Sequence, residues 1–160
     1  MSLFKAGDIF QFAIRIEEDG EKYYREIARK VKDEDVKELF VYLAGEEVKH
    51  KKLFSDMLKG IEHYEPAESF PEEYFQYLKA YADNVIFNRD KLKNEVSQVV
   101  DALSAAEFGM RREQESILYY QDIKNIIPEN DVAPVEKIIE EERKHFLKLV
   151  EIRSKYSEKA

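Results

Sequence analysis

The sequence contains no cysteine, and only five glycines and four prolines in 160 residues. The absence of cysteine excludes disulfides, thiolate zinc sites, iron-sulfur clusters and thiol nucleophiles together, so any metal must be held by nitrogen and oxygen ligands. So few turn-forming residues disfavour a strand-rich fold. No apolar run approaches the roughly 20 residues that span a bilayer, and the amino terminus MSLFKAGDIF lacks the apolar stretch of a signal peptide. A cytoplasmic protein without a membrane partner is expected. Excess positive charge is lacking as well: the formal net charge is −8, and Lys and Arg are interspersed with Asp and Glu. Nucleic acid is therefore not an expected partner, because binding phosphates requires a basic face.

What is present is a mixture of 44% hydrophobic and 38% charged residues, the balance of long amphipathic helices, in a length suited to one domain spanning 1–160. An internal repeat organises them. Ile14 to Ile27 (IRIEEDGEKYYREI) aligns with Met110 to Ile123 (MRREQESILYYQDI) at an offset of 96, and Glu46 to His50 (EEVKH) with Glu141 to His145 (EERKH) at an offset of 95. Two helical hairpins are implied. The first pair is expected at about 8–59, with helices from Asp8 to Lys30 and from Asp33 to Lys59 separated by the capping residues KDED. The second is expected at about 94–157, with helices from Asn94 to Ile127 and from Pro134 to Tyr156 separated by PENDVA. Between them, about 60–93 forms a long crossover with extra helix in PEEYFQYLKAYADNVIF. The fold class is all-α, a four-helix bundle whose third helix need not pack beside its second.

Each helix carries an apolar stripe, and each stripe is interrupted by acid. The second helix runs Val36, Leu39, Phe40, Leu43, then Glu47 and His50, then Leu53, Phe54 and Met57. The fourth runs Val135, Ile138, Ile139, then Glu142 and His145, then Phe146, Leu149 and Ile152. The first runs Phe10, Ala13, Glu17, Gly20, Tyr24, Ile27 and Val31; the third runs Val99, Leu103, Ala106, Met110, Glu113, Ile117, Tyr120 and Ile127. Glu18, Glu46 and Glu141, the neighbours of three of these acids, point away from the stripes.

An isolated buried carboxylate costs several kcal/mol or more unless it is paired or protonated. No Lys or Arg occupies these stripe positions, so bound cations are the economical answer. Four carboxylates balance two divalent ions, and two neutral imidazoles complete the set. Residues three apart share a helix face. Glu47 and Glu142 can thus each bridge two ions while His50 and His145 each cap one, with Glu17 and Glu113 binding one ion apiece. This is the ligand pattern of di-iron carboxylate bundles.

With 24 glutamates in 160 residues, a Glu three positions before a given His arises by chance about 15% of the time. One such motif would decide little. Two of them, lying 30 residues after Glu17 and 29 after Glu113 inside a repeat, are a specific signal. His63, in the connection, is expected to be a solvated loop residue. Tyr24 and Tyr120 each lie seven residues beyond a candidate ligand glutamate, either as hydrogen-bonding partners of the ligands or as plain core aromatics. The aromatics Phe70, Tyr74, Phe75, Tyr77, Tyr81 and Phe87 are expected to cover the bundle or a partner subunit, which points to a homodimer.

The segments AIRIEEDGEKYY and LAGEEVKHKKLF, then RREQESILYY and IIEEERKHFLKL, resemble the ferritin-like superfamily and, within it, the rubrerythrin-like di-iron carboxylate proteins. The resemblance covers nearly the whole chain outside the connection. It implies a ferritin-like bundle with two iron ions that reacts with oxygen or hydrogen peroxide as a peroxidase or ferroxidase; manganese or zinc would satisfy the same ligands. Two features depart from the family pattern. No rubredoxin-type cysteines are present, so an external electron-transfer protein is implied as donor. Ser116 also stands where those proteins place an additional glutamate. A hollow storage cage is not expected, since little chain follows the fourth helix. A non-catalytic metal-binding or iron-buffering protein, and a bundle merely stapled by its metals, remain the other readings of the same residues.

Overall fold

The computed structural model describes residues 6–61, 64 and 71–158; His63 and Phe70 lie outside them. The described chain forms α1 (Ala6–Lys30), α2 (Glu34–Gly60), α3 (Glu72–Tyr81), a π-helical turn (Ala82–Ile86), α4 (Arg89–Ser97), α5 (Ala102–Ile123) and α6 (Glu129–Ser157). No strand occurs among these residues.

The helix boundaries follow local chemistry. The Asp33 carboxylate accepts from Val36 N at 3.2 Å and starts α2, as the KDED segment leads one to expect. The expected single helix from Asn94 to Ile127 is instead broken between α4 and α5. Asp101 accepts from Ser104 N at 2.8 Å, and Ser104 Oγ accepts in return from Asp101 N at 3.2 Å. This capping box starts a new helix inside an apolar pattern that runs straight through it. At the other junction Pro128, rather than Pro134, precedes the first turn of α6: Asp131 N already donates to Pro128 O at 2.9 Å. Pro134 lies inside the helix, forgoing one backbone bond near its start.

α1 packs on α2 and α5 on α6, and the two pairs meet through α1–α5 and α2–α6. Tyr119 Oη donates to Ile9 O at 2.9 Å and Tyr24 Oη to Gly109 O at 3.4 Å, so α5 runs antiparallel to α1. α2 and α5 consequently point the same way, and the chain between them must return along the length of the bundle. Its progress is marked by Tyr74 Oη donating to Asp122 O (2.6 Å), Tyr81 Oη to Glu115 O (2.9 Å) and Lys30 Nζ to Val96 O (2.5 Å). Arg15 stacks 3.7 Å over the Phe87 ring, which also meets Phe12. Tyr74, Phe75, Tyr81 and Phe87 therefore cover the bundle of their own chain, while Tyr77 remains 46% exposed.

The core is divided in two. One apolar cluster gathers Phe10, Phe54, Tyr120 and Ile138; the other gathers Ile27, Phe40, Phe108 and Leu149. On every bundle helix the chain passes from one cluster to the other through the acidic positions. Several stripe assignments differ from the sequence reading, Leu39, Phe146 and Ile152 being only half-buried. Leu53 is exposed, and on α5 Leu103, Met110 and Ile117 are only half-buried while Phe108, Arg112, Ser116 and Tyr119 are buried. α5 is covered by α1, by α6 and by the crossover, so its buried arc is wider than one stripe.

Candidate metal centre

Between the two apolar clusters the four helices bring all six residues of the acidic stripes together. Glu17, Glu47, His50, Glu113, Glu142 and His145 are each 5% exposed or less. Their side-chain donor atoms form two overlapping groups, Glu17–Glu47–His50–Glu142 and Glu47–Glu113–Glu142–His145, in each of which the ligating atoms lie within 4.8 Å of one another. Glu47 and Glu142 belong to both. Glu17 and Glu113 belong to one group each.

Both imidazoles turn Nδ1 inward. His50 Nδ1 lies 3.0 Å from Glu142 Oε1 and 3.6 Å from Glu17 Oε2, and His145 Nδ1 lies 3.0 Å from Glu142 Oε2 and 3.8 Å from Glu113 Oε1. The rings face each other at 5.9 Å between centroids, inclined by 24°. Tyr24 Oη donates to Glu113 Oε1 at 2.9 Å, and Tyr120 Oη donates to Glu17 Oε1. The tyrosines thus act as hydrogen-bond partners of the acids as well as packing in the core. Gly20 serves a steric purpose: a Cβ there would stand 3.1 Å from Glu47 Cδ and 3.2 Å from its Oε2.

The electrostatics show a site short of positive charge. Burial, then the carboxylates of Glu17 and Glu142, push Glu47 well above the usual glutamate range. Burial and the Glu142 carboxylate do the same to Glu113. Burial also acts to raise Glu142, but hydrogen bonds from Glu113, His145 and His50 outweigh it and hold that carboxylate low. His50, although burial opposes its charge, is pushed up to about 12 by its bond to Glu142 and by the Glu17 carboxylate 3.6 Å away. Without a cation the acids share protons. Glu17 Oε2 is buried with no hydrogen-bond partner, an orphaned acceptor aimed into the cluster. Hard carboxylate oxygens, two imidazole nitrogens and an unanswered lone pair suit a first-row divalent metal.

Three residues near the site carry no clear signal in the stripes. Glu141, which periodicity points away from the core, reaches His50 Nε2 with its Oε2 at 2.9 Å. Arg112 is buried beside Glu113 but turns toward Glu115, with Nη1 3.4 Å from Oε2, leaving its own Nε without a partner. Ser116 Oγ donates to Arg112 O at 2.9 Å, so it closes on its own helix and adds no carboxylate.

A helical bundle with a full-length crossover and buried paired Glu-x-x-His motifs defines the ferritin-like carboxylate class. The chain belongs to the rubrerythrin family, whose model matches residues 8–152. Among solved structures it is similar to a protein of Thermotoga maritima described as a ferritin-like diiron-carboxylate protein: 25% identity, 94% of this chain and 95% of that one covered, TM-score 0.66. No curated protein sequence matches this chain. No helix among the described residues is long and apolar enough to cross a membrane.

Proposed function

We propose that the chain holds two iron ions between Glu17, Glu47, His50, Glu113, Glu142 and His145, and acts as an oxidoreductase toward oxygen or hydrogen peroxide with an external protein as electron donor. The observation that carries this reading is the pair of overlapping ligand groups sharing Glu47 and Glu142. The family match and the likeness to a diiron-carboxylate protein support iron as the metal. When bound, such a pair of ions supplies two electrons at one place, which is what reduction of peroxide requires.

The residues around the site prepare it for that task. His50 gives up its Nδ1 proton on loading, and Glu47 and Glu113 release theirs, so uptake of metal expels protons. Tyr24 fixes Glu113 and Tyr120 fixes Glu17, which orients the two terminal carboxylates. The two apolar clusters on either side exclude bulk water.

Anaerobically loaded ferrous protein, mixed with peroxide or with oxygen in a stopped-flow instrument, is expected to oxidise far faster than free ferrous ion and to be re-reduced by an added donor. Oxidation no faster than that of free ion would defeat the enzymatic reading. It would favour an iron-buffering protein, a reading supported by Ser116, which adds no further ligand. Replacing Glu47 and Glu142 together by Ala is expected to abolish uptake of the pair, measured by metal analysis. Retention of two ions per chain would refute the ligand assignment.

A further inference from the structure

The internal repeat supplies a control for what surrounds each histidine. Glu46 and Glu141 are matched positions, as are His50 and His145. Yet their partners differ. Glu141 reaches across from α6 to His50 Nε2 at 2.9 Å, whereas Glu46 stays on the His50 side, its carboxylate within 4.8 Å of the His50 and Glu141 donor atoms and its Oε1 2.5 Å from Lys49 Nζ. No carboxylate meets His145 Nε2 among the described contacts. The ring beside His145 is that of Tyr42, set edge-on at 5.9 Å and 89°.

We infer that Glu141 is a positioning residue that fixes His50 with Nδ1 inward and makes the two metal positions unequal, the one held by Glu17 and His50 being the tighter. This deepens the metal reading above and rests on it. The Nδ1 proton of His50 gives way to a metal, but the Nε2–H does not, so the bond to Glu141 persists in the loaded protein. A carboxylate on the outer nitrogen of a ligating imidazole locks its tautomer and raises its basicity, and losing such a partner commonly weakens metal binding about 10- to 100-fold. His145, lacking that partner, is the weaker donor and the freer ring. Glu141 is 31% exposed at its side chain, whereas the His50 ring it meets is buried.

The test is calorimetric titration of the metal-free full chain with zinc, alongside cobalt titration followed by visible spectroscopy. The wild type is expected to take up two ions with unequal affinities. Glu141→Gln is expected to weaken the tighter step about 10- to 100-fold and leave the other within a factor of about two. Imidazole 15N shifts of the zinc-loaded wild type are expected to show the Nε2–H form for His50. Two ions bound with wild-type affinities in Glu141→Gln would overturn the positioning role, as would equal weakening of both steps. A wild type that takes up no zinc or cobalt would instead sink the metal reading itself.

Discussion

At the scale of single residues, the site depends on what is absent at Gly20 as much as on the ligands. Gly20 sits in mid-helix, where Ala is ordinarily better by about 0.5–1 kcal/mol. A methyl there would press on the Glu47 carboxyl group at 3.1–3.3 Å. Gly20→Ala is therefore expected to leave the metal-free protein as stable or slightly more so, while lowering its affinity for both ions, since Glu47 belongs to both ligand groups. Thermal melts with and without chelator, beside a metal titration, separate the two effects. An unchanged affinity would mean that Glu47 can move aside at no cost. The six candidate ligands were legible in the sequence because each broke an apolar stripe on a long helix. Glu141 was not, because periodicity reports which way a residue points from its own helix and says nothing of a neighbour's side chain reaching out to it. The burial of Arg112 and Ser116, off the expected stripe of α5, was not legible either.

At the scale of elements, the helical hairpins were legible from the repeat, and the break between α4 and α5 was not. Hydrophobic spacing continues through Val96, Val99 and Ala102, all buried, so no change of pattern marks the boundary. The interruption is set by hydrogen bonds local to Asp101 and Ser104. Asp101→Ala removes the acceptor of that capping box and is expected to destabilise the fold by about 0.5–2 kcal/mol. Denaturant unfolding at fixed metal content measures this. The same bonds from Ser104 hold the Asp101 carboxyl below its ordinary value. A variant as stable as the wild type would show that packing of the crossover against α1 and α5, rather than the cap, places the start of α5.

At the scale of the whole molecule, the divided core links metal, protons and stability. In the metal-free state Glu47 and Glu113 are raised by burial and neighbouring carboxylates, and His50 is raised from 6.5 to about 12. A group whose folded value exceeds its unfolded one binds more protons when folded. Its stabilisation is complete below the unfolded value and is lost as the pH rises toward the folded one. For the two glutamates that loss begins above 4.5, and for His50 above 6.5. Glu142 has the opposite sign: its contribution is present above 4.5 and is lost only as the pH falls through its lowered value, so it is constant over the neutral range. The chelated protein is thus expected to melt at progressively lower temperature from about pH 5 to about pH 8. Metal reverses the trend, because its ligands must be deprotonated to bind and tighter binding adds stability. The gap in melting temperature between loaded and chelated protein should accordingly widen with pH. Calorimetric scans of both forms across that range measure it directly, and a chelated protein whose melting temperature climbed with pH would contradict the proton-sharing assigned to the buried acids.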